Sequence, residues 1–292
     1  MKIVTFKANN SAKKYRLGAL VSETEIVDLT SLISKEDLNS EQLLECFDLE
    51  NNLVEKAKTA ISEGNLAKFS KERIQLCAPI PRPAKIICIG LNYRNHAIES
   101  GMEIPKSPII FSKFVTCVIG SGDSILLPKG SEKVDYEAEF AVVIGRKAKN
   151  VNLVDAMDYV FGYTNFNDVS ARDFQFADGQ WQRGKSCDTF APMGEFIATK
   201  DEIPNPHNLR IQFRLNGEAL QDSNTEELIF KIPELIEFLS TSITLEPGDI
   251  IATGTPPGVG FARNPPIFMK DGDVAEVEIE GLGILTNPVV KN

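Results

Sequence analysis

Histidine is scarce in this chain: 292 residues hold only two, His96 and His207. The five cysteines (Cys46, Cys77, Cys88, Cys117 and Cys187) are odd in number, widely scattered and nowhere spaced as CxxC. Those shortages exclude a disulfide framework and a histidine/cysteine zinc site, and leave the thiols as reduced, buried small residues of a reducing compartment. Positive charge is also short. Lys and Arg total 31 against 41 Asp and Glu, for a formal net charge of −10, which argues against holding nucleic acid through a general basic field. No stretch approaches the ~18 consecutive apolar residues of a membrane span. The opening "MKIVTFKANNSAKKYRLG" has neither the apolar run of a signal peptide nor the Arg-rich, amphipathic look of a transit peptide. The expected compartment is the cytoplasm, with neither membrane nor nucleic acid as partner. Repeats, low-complexity tracts, the strand–helix alternation of a doubly wound sheet, and the GxGxxG and GK[ST] phosphate loops are missing too.

What is present is an ordinary globular composition, 42% hydrophobic and 25% charged, long enough for one large or two modest domains. The first 78 residues read as a small α+β unit. "KIVTF", "YRLGALVS" and "EIVDLT" are short β-type runs, and "EQLLECFDLENNLVEKAKTAISEG" suits one or two helices. Pro79, Pro81 and Pro83 then mark a rigid connector, so domains are expected at 1–78 and 79–292. From Lys85 onward β-rich runs dominate, "RLNGEAL" carries an Asn-Gly hairpin signal, and helices are few: "NLVDAMDYV", "ARDFQFA" and "IPELIEFLSTSI". The fold class is α+β but β-dominated, a mixed barrel or roll.

The chemistry starts at "VDYEAEF", residues 134–140. On an extended chain Glu137 and Glu139 share a face, while Tyr136, Ala138 and Phe140 point the other way. The run continues into the core as "AVVIG", and two like charges entering an interior require a positive partner. Otherwise they are the solvated face of a half-exposed strand. Asp168, directly after the β-rich "YVFGYTNF", is a third carboxylate at a strand end. Three convergent carboxylates without histidine or thiolate make a hard oxygen site that selects Mg²⁺, Mn²⁺ or Ca²⁺. In "NYRNHAIESG", His96 precedes Glu99 by three residues, which makes them neighbours on a helix turn and the makings of a general base. His207, in "PNPHNLR", reads as an ordinary surface residue. Lys185, between Gly184 and Ser186, is either a solvated turn lysine or an oxyanion-stabilising cation. "ATGTPPGVG", with the hydroxyls of Thr253 and Thr255, offers backbone N–H groups to a carboxylate.

Together, "IGLNYRNHAIESG", "FSKF", "DYEAEFAVVIG", "NDVSARDFQ", "GKSCDTFAPMG", "NGEALQDSNT", "PGDIIATGTPPGVG" and "GDVAEVEIEGLG" resemble, in order, the fumarylacetoacetate hydrolase family from about Lys85 to Val290. The resemblance implies a β-roll catalytic domain and a homodimer. It carries metal ligation, by Mg²⁺ or Mn²⁺, onto Glu137, Glu139 and Asp168, and a water-activating dyad onto His96 and Glu99. Lys185 matches a lysine near the substrate oxyanion, Arg172 and Gln175 match substrate-facing positions, and Thr255 matches a carboxylate contact. One departure is that the enzyme naming the family has a fourth carboxylate upstream of its histidine, whereas "IGLNYRN" offers no acid; a three-carboxylate site completed by water and substrate is expected. The implied activity is metal-dependent chemistry on small 2-oxo acids through an enolate: acylpyruvate hydrolysis, or oxaloacetate decarboxylation or tautomerisation. Other hydratase, isomerase or sugar-acid hydrolase activities of the family, and a non-catalytic binder of metal and carboxylate, are the alternatives. On this reading Asp168→Ala abolishes activity with the fold retained.

Overall fold

The computed structural model describes residues 1–7, 14–34, 36–177 and 179–291. Its main sheet contains, in chain order, β1 (Lys2–Lys7), β2 (Arg16–Leu20), β3 (Glu25–Asp28), β4 (Lys68–Ser70), β5 (Ile86–Gly90), β6 (Ile109–Ser112), β7 (Ala138–Ile144), β8 (Val160–Asn167), β9 (Ile197–Thr199) and β10 (Ile250–Ala252). Across the sheet they run β4-β3-β2-β1-β9-β8-β7-β10-β5-β6, and Gln75–Leu76 pairs with β1 off this path. Only β10 and β5 are parallel neighbours along the path, so the sheet is mixed. It is an open path with β4 and β6 at its edges, a roll and not the closed barrel that was one of the sequence expectations. The strands of the first 28 residues join the rest through β1, which pairs Lys2 with Ala198 and Ile3 with Ile197.

A second sheet packs against the first. Arg210–Leu215 and Glu218–Asn224 form its hairpin, and both turn residues, Asn216 (φ 54°) and Gly217 (φ 82°), lie in the left-handed region. That is the primed turn which the Asn-Gly pair favours. Val274–Ile279, Gly283–Lys291 and Ile125–Leu127 complete it.

Every residue of β7 is buried, which explains why "AEFAVVI" carries no alternation beyond its first glutamate. Tyr136 stacks on Phe213 of the second sheet at 4.0 Å between ring centroids, and Phe140 stacks on Tyr163 at 5.0 Å. Those rings fill one side of the strand, so Glu137 and Glu139 are left on the other, as the two-residue period requires.

Helices are short and peripheral. Leu53–Glu63 ends at Gly64 (φ 74°), and Ile232–Ser242 begins with Pro233 in its first turn. The "NLVDAMDYV" segment departs from expectation, forming a 3₁₀ run over Leu153–Tyr159. His207 is half-buried rather than freely solvated, and its Nε2 accepts from the Ile232 N–H at 3.3 Å. No helix among the described residues is long and apolar enough to cross a membrane.

Gly162 is the tightest point of the central sheet, since a Cβ there would collide with the Ala198 carbonyl and sit 2.8 Å from Ile197 Cγ2. Gly162→Ala is therefore expected to cost about 1–3 kcal/mol by overpacking. Thermal unfolding should show the loss as a drop of several degrees; an unchanged Tm would mean that β8 and β9 can separate freely.

Candidate active site

Pairing between β7 and β8 builds the acidic cluster. Ala138 lies opposite Asn167 and Glu139 opposite Phe166, so the end of β8 delivers Asp168 beside Glu137. The Asp168 N–H donates to the Glu137 carbonyl at 2.9 Å, and the Glu137 N–H donates to Asn167 Oδ1 at 3.0 Å. One oxygen from each of Glu137, Glu139 and Asp168 lies within 4.8 Å of the others, with all three residues buried.

The positive partners that two buried glutamates demand are present. Lys185, on the single helical turn Gln182–Lys185, is buried and donates from Nζ to Glu137 Oε2 at 2.9 Å and to Asp168 Oδ2 at 2.7 Å. It is no solvated turn lysine. Lys113, one residue past β6, is also buried; its Nζ donates to Asp168 Oδ1, and to the Val169 carbonyl at 3.0 Å. Arg172 forms an ion pair with Glu137, Nη2 to Oε1 at 2.7 Å. It also donates from Nε to Asp135 Oδ2 at 2.8 Å and from Nη1 to Gln175 Oε1 at 2.9 Å.

Burial opposes the ionised Glu137, but Lys185, Arg172 and His96 win and hold its carboxyl below the usual range. Burial together with Asp168 and Glu137 pushes the Glu139 carboxyl well above its ordinary value, against the pull of Lys185 and the Gly254 N–H. Four buried carboxylates (Asp135, Glu137, Glu139, Asp168) thus face three buried cations (Lys113, Arg172, Lys185). A trio of hard oxygen donors with this excess of negative charge fits a divalent Mg²⁺ or Mn²⁺ ion.

The loop after β10 uses its N–H groups on the protein's own acids. Gly254 donates to Glu139 Oε2 at 3.0 Å, Gly258 to Glu99 Oε2 at 2.8 Å, and Gly260 and Phe261 to the two oxygens of Asp135 at 2.8 and 3.0 Å. These amides, expected from the sequence to be offered to a ligand carboxylate, are spent inside the fold. Thr253 Oγ1 donates to the Phe140 carbonyl, and Thr255 Oγ1 accepts from Gln221 Nε2, both bonds short. His96, on the helix Arg94–Glu99, donates from Nδ1 to Glu99 Oε1 at 2.8 Å. A carboxylate oxygen accepts in this bond, so the hydrogen lies on Nδ1 and the lone pair of the neutral ring lies on Nε2. In the segment where a fourth acid is missing, Asn92 is structural: its side chain bonds the Phe230 N–H and carbonyl and the Thr253 carbonyl. His96, Glu137, Glu139, Arg172, Gln175, Lys185 and Thr255 all line one cavity of about 330 Å³. Glu99 and Asp168 sit directly behind, bonded to His96 and Lys185.

The family model for the fumarylacetoacetate (FAA) hydrolase C-terminal region matches residues 85–290. The chain belongs to the fumarylacetoacetate hydrolase family. An oxaloacetate tautomerase of Xenopus laevis, named as mitochondrial, is 45% identical over 293 residues, spanning 99% of this chain and 90% of the relative. A fumarylacetoacetate hydrolase domain-containing protein 2 homolog of Dictyostelium discoideum is 47% identical, spanning 99% and 97%. Among solved structures, the maleylpyruvate hydrolase of Sphingobium sp. SYK-6, in complex with manganese(II) ion and pyruvate, superposes with a TM-score of 0.82 at 31% identity, covering all of both chains.

Two parts of this family member's charge cluster escaped sequence reading. Asp135 lies in "VDYEAEF" itself, two residues before Glu137, and extending the alternation one step back would have found it. Lys113 had no such signal, because nothing in "FSKF" shows that its lysine turns inward to Asp168.

The pairing also changes the expectation for Asp168→Ala. Removing that carboxylate leaves buried Lys113 with no carboxylate partner and buried Lys185 with Glu137 alone, so the variant should lose about 3–5 kcal/mol of stability as well as activity. Denaturant unfolding measures this. A variant as stable as the parent would mean that Lys113 finds another partner or releases its proton and that Glu137 alone suffices for Lys185.

Proposed function

We propose that this fumarylacetoacetate hydrolase family enzyme moves a proton on small 2-oxo acids through an enolate, with keto–enol tautomerisation of oxaloacetate as its reaction. The observation that carries the reading is that His96, fixed by Glu99 behind it, lines the same cavity as Glu137 and Glu139 of the buried carboxylate trio. The name of the Xenopus relative and the manganese and pyruvate in the Sphingobium structure support it.

Glu137, Glu139 and Asp168 would hold the divalent metal, Mg²⁺ or Mn²⁺, which when bound supplies positive charge to the carboxylate and 2-oxo oxygens of the substrate. The remaining work falls to side chains. Glu99 holds the His96 tautomer, and His96 Nε2 takes the proton from the carbon next to the 2-oxo group. Lys185 spends two of its donors on Glu137 and Asp168, so one remains for the oxygen on which enolate charge collects. Arg172 fixes Gln175 through its oxygen, which leaves the Gln175 amide hydrogens to orient the substrate. Thr255 accepts from Gln221, so its hydroxyl hydrogen is directed to the substrate carboxylate. Water activated by the same His96 would turn the site to hydrolysis of an acylpyruvate. We assign the protein to the cytoplasm, supported by five free thiols that suit a reducing compartment.

The test supplies metal-stripped protein with Mn²⁺ or Mg²⁺, follows the enol absorbance of oxaloacetate, and assays pyruvate in parallel. Metal-dependent decay of the enol without pyruvate is the expected result, and pyruvate release would make the enzyme a decarboxylase instead. His96→Gln should lower kcat by about 10²- to 10⁴-fold while Mn²⁺ binding, read by calorimetry, persists. Parent-like turnover in that variant would remove His96 from the mechanism.

A further inference from the structure

The cavity has two unlike halves. The inner one is the charge cluster; the outer one is walled by Leu91, Met102, Phe111, Phe176, Trp181 and Phe261. This wall is built, not incidental. Trp181 meets Phe111 edge-on at 5.4 Å, and it lies so close to Gly90 that a Cβ there would sit 2.6 Å from the indole. Phe176 meets Phe261 edge-on at 5.8 Å. At the rim, Phe176 is 57% exposed and Met102 48%, large apolar surface turned to water beside a cavity.

The cations of the cavity are all engaged. Arg172 serves Asp135, Glu137 and Gln175 and stacks over the Phe261 ring at 4.4 Å; Lys185 serves Glu137 and Asp168 and lies 5.1 Å from the Phe111 centroid. Among the described residues lining it, none is an unpaired Lys or Arg. A second carboxylate on the substrate, such as that of oxaloacetate, therefore finds no counter-charge in the outer half and must stay hydrated, because burying it unpaired is costly. An aryl or branched alkyl group in the same place covers the apolar wall.

Resting on the 2-oxo acid reading above, we propose that the enzyme also takes 2-oxo acids bearing an apolar group on C3, and interconverts the keto and enol forms of arylpyruvates, with Trp181 as the specificity-determining residue. The step balances without any co-reactant. A proton leaves C3, the C3–H pair becomes the C2–C3 double bond, and the 2-oxo oxygen gains a proton.

Trp181 is the sole tryptophan of the chain, so its fluorescence reports occupancy of the wall apart from turnover. With Mn²⁺-loaded protein, 4-methyl-2-oxopentanoate is expected to shift that fluorescence saturably, with a Kd at least tenfold below that of oxaloacetate. Phenylpyruvate should show Mn²⁺-dependent enol–keto exchange. Trp181→Lys should cut the phenylpyruvate to oxaloacetate kcat/KM ratio at least tenfold, and Trp181→Phe should restore most of it; circular dichroism checks that both variants fold. Oxaloacetate turnover with neither a fluorescence shift nor phenylpyruvate exchange overturns the inference and leaves the proposed function standing. Saturable binding of the apolar acid with no turnover of either substrate keeps the apolar subsite and overturns both reactions.

Discussion

The structure turns on one buried contact, the Lys185 ammonium between Glu137 and Asp168. The sheet brings those carboxylates together: Glu137 stands one residue before β7, and the register of β8 delivers Asp168 beside it. Burying such charges is unfavourable unless each is paired, so the strand pairing and the ion pairing enforce each other. Lys113 binds the second oxygen of Asp168 and Arg172 the second oxygen of Glu137. Among the described residues Glu139 pairs with no cation and accepts the Gly254 N–H; burial, with Asp168 and Glu137 nearby, raises its affinity for a proton.

The loop after β10 is the second constraint. The glycine- and proline-rich run is held by three acids from two segments: Glu139 and Asp135 of the 134–140 run, and Glu99. Glu99 also receives the His96 N–H, so the orientation of the imidazole and the position of this loop are set by one carboxylate. Asp135 joins the loop to Arg172 and through it to Glu137. The charge cluster, the histidine and the Thr255 hydroxyl are therefore parts of a single hydrogen-bonded body, the kind of preorganisation that electrostatic catalysis requires.

Much of this was legible because it is local. The alternation of Glu137 and Glu139, the i,i+3 spacing of His96 and Glu99, and the Asn216–Gly217 turn all follow from periods of the chain. The position of Asp168 at a strand end was legible too, but its meeting with Glu137 depends on β7–β8 register, which spacing does not encode. Lys113, 55 residues from Asp168, and the double use of the loop amides are products of tertiary packing alone. The β-rich runs left a barrel and a roll both open, because strand content does not decide whether a sheet's ends meet. The 3₁₀ run at Leu153–Tyr159 replaced an α-helix in a segment that packs on Ile232–Ser242, where neighbours outweigh propensity.

The split between rigid inner and apolar outer halves bears on why one fold serves relatives with different names. The inner half is built from β7, β8 and a loop that its own acids lock, and a change in any of these groups would strand a buried charge. Trp181, Phe176 and Met102 sit on short helical turns and loops, where a substitution alters the shape of the wall without orphaning an ion pair. A substitution there would leave the buried ion pairs of the inner half in place. A tautomerase from Xenopus and a maleylpyruvate hydrolase that superposes at a TM-score of 0.82 are therefore compatible with one inner geometry and different outer walls. In this chain the wall is apolar and uncharged, so a preference among ligands that share the inner contacts would be set there, more than at the carboxylate trio.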